Sequence, residues 1–232
     1  SGATIMLFTV LEDTGNKGRG SKVWQERFGA FNKAVREVGA VAYRVHTIPG
    51  DEAQLQAVIE DQLVRADLII ISGERKDDSF DLITRTLTAM GEIQTVDVAI
   101  ESSGRHNFGV IGPDKTPVVT LPGDPVAAYI SFELFIRPMI RTMLGAATIH
   151  RPSVKAKLEK AITSSGGNRS YIRAVLSEDG KSVMPLLSQG SSVQDEQATL
   201  SDANAFIAVS EGDLDLAAGS DVTVVVLERR YI

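Results

Sequence analysis

The chain has no cysteine, so no disulfide can brace it, and a reducing cytoplasm is the expected location. Histidine is scarce as well: His46, His106 and His150 lie far apart in sequence, and none stands in a metal-ligand spacing. No apolar run approaches the roughly 20 residues needed to span a bilayer, and no signal peptide is visible. Aromatic residues make up only 6%, and 24 basic residues face 30 acidic ones, a net charge of -6. Nucleic acid would demand a basic surface with stacking rings, so it is not an expected partner.

What is present is an ordinary soluble balance, with 43% hydrophobic and 23% charged residues in 232. That length suits one large domain or two small ones. Ser1-Gly2, directly before an apolar run, reads as a cloning remnant, and the chain as part of something longer.

Ala3 to Thr9 reads as a first strand. Trp24, Phe28, Phe31, Val35 and Val38 form one apolar stripe of a helix starting near Ser21, with Gly39 as its stop. These aromatics suit a core rather than a cofactor box. Val41 to Ile48 suits a second strand, and Asp51 followed by Gln54 opens a helix with core face Leu55, Val58, Ile59 and Leu63. Leu68 to Ile71 suits a third strand buried on both faces. Phe80 to Met90 suits a helix, Val96 to Ile100 a strand, and Phe108 to Ile111 with Val118 to Leu121 a hairpin. A strongly apolar helix ending near Leu144 follows Pro125.

Strands alternating with helices predict an α/β fold, a mostly parallel open sheet flanked by helices. The texture changes after Gly145, where short β-rich runs (Val154 to Leu158, Tyr171 to Leu176, Ala205 to Ser210, Val222 to Leu227) alternate with Gly and Ser turns. This predicts an α/β domain over 1–147 and a small all-β domain over 148–232.

Within "ADLIIISGERKDDSFDLI" the strand ends at Ser72-Gly73, before the charged turn Glu74 to Asp78. Strand, Ser-Gly turn and helix start together often make an anion cradle, because the first N–H groups of a helix are unpaired, but with no glycine after Gly73 in the turn the tight cradle is not expected to form here. In open α/β sheets ligands lie at the strands' carboxyl ends, which places Ser72 to Asp81 and Leu121 to Pro125 on one rim.

"LPGDPVAAYISFELFIRPMIRTMLG" resembles the molybdopterin molybdotransferase family, which includes bacterial MoeA and the gephyrin E domain. Leu121, Pro122, Gly123, Pro125, Val126 and Ala128 match the family's Leu-Pro-Gly-Asn-Pro-Val-Ser-Ala, as do Phe132, Phe135 and Pro138 in the following helix. "GNRSYIRAVL", "QGSS" and "DANAFIAV" resemble the family's final β domain. The resemblance spans only the last two of the family's four domains, which supports reading the chain as a carboxyl-terminal fragment. It implies molybdenum cofactor biosynthesis: molybdate insertion into adenylylated molybdopterin with release of AMP, assisted by magnesium. It also implies a homodimer whose site is shared between subunits, so the fragment alone is expected to be inactive.

Position by position, the resemblance implies Glu12 and Asp81 as catalytic residues, with Asp81 a magnesium ligand. It implies Ser72, Gly73, Pro122, Gly123, Asp124, Pro125, Arg105, Arg169, Arg173 and Ser191 as substrate-binding residues. Several positions depart from the family pattern. Val10 and Leu11 replace Gly and Asp, Glu74 replaces a glycine that takes positive φ freely, and Asp78 replaces a later one. Glu101 and Gly104 align with two lysines, with Arg105 nearby as a stand-in, and Asp124 replaces Asn. Two cations go and two carboxylates arrive near the expected phosphates, while Arg75 and Lys76 return two cations in an unfixed place. Losing a charge-assisted hydrogen bond costs about 1.5–3 kcal/mol, so impaired transfer is expected.

Plainer roles stand beside these. Asp81 suits a cap of the helix it opens, and Glu12 with Asp13 a solvated loop. Pro122 to Pro125 suits a structural turn, Arg173 an exposed strand arginine and Ser191 a turn residue. A non-enzymatic alternative is a gephyrin-like dimeric scaffold that binds a peptide of a protein partner.

Overall fold

The computed structural model describes residues 2–10, 29, 31–47, 51–73, 77–100, 104–186 and 202–227. The chain divides into two compact units, Ser1–Val98 with Arg105–Ile149, and Ala99–Gly104 with His150–Ile232.

The first unit is built on a six-stranded sheet: β1 (Thr4–Val10), β2 (Val41–Thr47), β3 (Leu68–Ser72), β4 (Gly91–Val98), β5 (Gly104–Ile111) and β6 (Thr116–Leu121), in the order β2-β1-β3-β6-β5-β4. The pairs β2-β1, β1-β3 and β3-β6 are parallel, and β5 joins β6 antiparallel. The sheet is therefore parallel at its centre, as the alternation of elements predicts, and mixed toward the β4 edge.

Strand alternation splits each apolar run between two layers. On one face Ile5, Leu7, Leu68, Ile70, Val119 and Leu121 meet Phe31 and Val35 of α1 (residues 31–38) and the apolar helix after Pro125. On the other, Met6, Phe8, Ile69 and Ile71 meet Leu55 and Ile59 of α2 (Glu52–Leu63) and Ile83 and Leu87 of α3 (Asp77–Met90). All five residues of β3 are buried, which explains its unbroken hydrophobic run. Asp51 caps α2 as its spacing predicts, its Oδ1 accepting from Gln54 N at 2.9 Å.

Three expectations shift. Helix α3 opens at Asp77 rather than Phe80, so the turn before it is short. Strand β4 starts at Gly91, directly after α3, instead of at Val96. Backbone proximity explains this: a Cβ on Gly91 would lie 2.1 Å from the Val110 carbonyl oxygen, and one on Gly109 2.0 Å from that of Glu92. Two glycines let β4 and β5 close on each other where any side chain would hold them apart. The helix after Pro125 is not uniform: α4 (Pro125–Ser131) passes through a π turn (Phe132–Ile136) into α5 (Arg137–Met143). Pro138 has no N–H to give and its ring crowds the carbonyl four residues back, so a wider turn ahead of it relieves both problems.

The second unit is a closed barrel, ordered β10-β7-β13-β11-β9, with a separate β8-β12 pair. Its strands are β7 (Ser153–Leu158), β8 (Ile162–Thr163), β9 (Ser170–Leu176), β10 (Ser182–Pro185), β11 (Ala205–Val209), β12 (Asp215–Leu216) and β13 (Asp221–Val226). Ala156, Leu158, Ala174, Leu176, Ile207, Val224 and their neighbours fill it. Asn204 fastens β9 to the chain entering β11: its Oδ1 accepts from Leu176 N at 2.7 Å and its Nδ2 donates to Leu176 O at 3.2 Å. The sequence pattern shows β7, β9, β11 and β13 but not the short β8, β10 and β12, which have too few residues to display a period. No helix among the described residues is long and apolar enough to cross a membrane.

Candidate functional site

Strand order marks where sheets of this kind accommodate ligands. β2 is added on one side of β1 and β3 on the other, so the winding of the sheet reverses between β1 and β3, and the carboxyl ends at such a switch form a crevice. Ser72 closes β3 there, paired with Thr9 on one side and Leu121 on the other. The Ser72-Gly73 turn and the Pro122 to Pro125 turn thus come to one rim through a single register.

Gly73 is held close under α3, where a Cβ would meet Ser79 Cβ at 3.3 Å and Ile83 Cδ1 at 3.2 Å. Ser72 is buried. Asp81 is the fifth residue of α3 and exposed, so it does not cap the helix, which opens four residues earlier. Asp124 is the cap of α4: its Oδ1 accepts from Val126 N at 3.0 Å and Ala127 N at 2.9 Å. Pro125 follows as the first helical residue. The N–H groups that an anion would use at this helix start are therefore met by the chain's own carboxylate.

Arg105 joins the same rim from β5. Phe108 pairs with Val119 in antiparallel register, which carries the start of β5 toward the carboxyl end of β6. Its guanidinium carbon stands 4.7 Å from the centre of the Phe80 ring in α3. The next residue anchors it: His106 is fully buried, its Nε2 3.0 Å from Ser131 Oγ, stacked on Phe108 with Phe135 edge-on. Asn107 then donates from Nδ2 to Thr84 Oγ1 at 2.9 Å and accepts from Thr95 Oγ1 at 2.7 Å. The start of β5 is pinned on both faces, and Arg105 is presented from a rigid base.

Arg169 and Arg173 lie in the second unit. Arg169 is exposed and forms a parallel bridge with Ile100. Arg173, expected as an exposed strand residue, is 5% exposed, on the outward side of β9, which turns Ile172 and Ala174 into the barrel. Strand alternation gives the direction of a side chain but not what covers it. Glu12, Glu74, Arg75, Lys76, Glu101 and Ser191 lie outside the described residues.

Among the described residues no group of three His, Cys, Asp or Glu is gathered to hold a metal ion. Magnesium commonly takes one or two carboxylates and completes its shell with water and phosphate oxygens, so Asp81 fits as a single protein ligand only. The sequence reading did not single out Phe80, His106 or Ser131. Their roles depend on pairing across β5, α3 and α4, which no local period reveals.

Comparison with known proteins follows the same division of the chain. A probable molybdopterin binding domain matches residues 28–142, and a MoeA C-terminal region (domain IV) matches residues 155–227. The chain is similar to Molybdopterin molybdenumtransferase 1 of Mycobacterium tuberculosis, at 30% identity over 221 residues, 94% of this chain and 52% of that protein. It is 32% identical over 197 residues to Molybdopterin molybdenumtransferase 2 of the same organism, covering 82% of this chain and 47% of that one. The fold is that of a molybdopterin biosynthesis moea protein from Pyrococcus horikosii, with a TM-score of 0.76 at 22% identity, covering 98% of this chain and 55% of that one. The chain spans about half the length of the curated relatives it matches.

Proposed function

The chain belongs to the molybdopterin molybdenumtransferase (MoeA) family, and from that premise we propose that it works in molybdenum cofactor biosynthesis. In this reading adenylylated molybdopterin binds at the rim of Ser72, Gly73, Pro122 to Pro125 and Arg105, and molybdenum transfer is impaired. One observation carries the reading: the pairing of Ser72 with Leu121 brings both turns together beside the switch point of the sheet.

The residues divide the work by charge. Arg105, held against Phe80, supplies a cation for a phosphate oxygen. Gly73 admits close approach of ligand to backbone, since it carries no side chain. Magnesium, held by Asp81 and the ligand's own phosphates, would neutralise charge there. Asp124 works in the opposite sense: its carboxylate occupies the α4 N–H groups and repels an anion, which is the ground for impaired transfer.

Calorimetric titration of adenylylated molybdopterin, with magnesium, into the intact protein tests this, with molybdenum insertion assayed in parallel. Binding in the micromolar range, weakened by Arg105→Ala, together with insertion far slower than by the Mycobacterium tuberculosis relatives, is the expected result. Insertion at the relatives' rate would overturn the impairment. A folded, intact protein that does not bind at all would overturn the ligand assignment and direct attention to a peptide partner.

A further inference from the structure

A second charged feature lies at the β2 edge of the sheet, and none of the rim residues lines it. Gly29, Asn32, Lys33, Arg36 and Glu37 on the outer side of the first helix and Arg44 of β2 border an open cleft of about 580 Å³. The sequence accounts for each placement. Phe31 and Val35 are buried under α1, which turns Lys33, Arg36 and Glu37 outward. Ala42 packs into the same cluster, so strand alternation sets Arg44 on the α1 side of the edge strand. Among the described residues no strand lies beyond β2.

Three cations and one carboxylate give this cleft a positive balance on a chain of net charge -6. The carboxylate is engaged, Glu37 lying 3.8 Å from Lys33 Nζ. Among the described residues the guanidinium groups of Arg36 and Arg44 take part in no hydrogen bond or ion pair. The groups that face the cleft are its cations, all suited to one kind of ligand.

We propose that this cleft is an anion site for a doubly charged tetrahedral oxyanion of the phosphate type, held by Arg36 and Arg44. Guanidinium groups match phosphate oxygens in geometry, so two of them lining one cleft supply paired donors for such an ion. The site is independent of the rim and of the function proposed there.

Inorganic phosphate titrated into the intact protein, at ionic strength held constant with chloride and followed by ¹H–¹⁵N NMR, tests the assignment. Saturable shifts centred on the amides of residues 29–37 and on Arg44, with a millimolar dissociation constant, are expected. The exposed pair Arg36→Ala and Arg44→Ala together should weaken binding about tenfold or more. Glu37→Gln should strengthen it severalfold, a gain that a merely structural role for Glu37 would not produce. Methyl phosphate binding as tightly as phosphate would assign the site to the phosphate group of an ester, and weaker binding to the free ion. Shifts that fail to saturate, or that survive the double variant unchanged, overturn the proposal.

Discussion

Replacing Asp124 separates what this residue does for the fold from what it does to a ligand. The first N–H groups of a helix have no partner within it, and Asp124 Oδ1 takes two of them, at 3.0 and 2.9 Å. Removing such a cap with alanine costs about 0.5–2 kcal/mol. The carboxylate's attraction to the positive end of the helix adds about 0.3–1 kcal/mol. Asp124→Ala should therefore destabilise by about 1–3 kcal/mol, while Asp124→Asn keeps an acceptor and loses only the smaller charge contribution. For ligand affinity the order reverses. Two unit charges about 8 Å apart at an effective dielectric near 40 repel by about 1 kcal/mol, so Asp124→Asn should tighten adenylylated molybdopterin binding about fivefold. Urea unfolding of wild type and both variants, paired with calorimetry on the asparagine variant, reads both effects. If alanine and asparagine unfold at the same urea concentration, the cap is not what holds the start of α4. If asparagine leaves affinity unchanged, the charge argument for impaired transfer fails.

Two further outcomes test other parts of the structure. Gly109→Ala would set a Cβ 2.0 Å from the Glu92 carbonyl oxygen and 2.9 Å from Ile93 Cδ1; overpacking of this kind costs about 1–3 kcal/mol, and hydrogen exchange along β4 should quicken, whereas unchanged protection of β4 would refute the close approach. The Asp179 carboxyl is held below the usual carboxylate range by the Ser177 hydroxyl and then by the Lys181 N–H. Because its folded pKa lies below the unfolded one, its contribution to stability is present above the ordinary carboxylate range and disappears as pH falls through the folded value. Ser177→Ala should raise that pKa in an NMR titration of the side chain, and no upward movement would refute the assigned cause.

Much of the α/β unit was legible because its signals are local. The Asp51 cap lies three residues from Gln54, whose N–H donates to it, and the unbroken apolar run of β3 announces burial on both faces. The Leu-Pro-Gly-Asp-Pro turn shows both a family resemblance and a helix start, and Asp124 and Pro125 occupy the cap and first helical position. Legibility failed where a residue's setting depends on distant pairing. Asp81 reads as a cap only if α3 begins at Phe80, yet the helix begins at Asp77. Arg173 reads as exposed from alternation alone, yet it is buried.

The sequence by itself determined the periods: which residues alternate into two faces, where helices are capped, and where short β-rich runs replace helices. Those features are set by interactions within a few residues, so a linear reading captures them. Tertiary structure alone decided the strand order that creates the rim, the closure of the barrel, the seating of Arg105 on Phe80 and the placing of Arg36 of α1 and Arg44 of β2 on one cleft. Each requires residues far apart in the chain to become neighbours, and the loop entropy lost in doing so is offset only when a whole sheet or core forms.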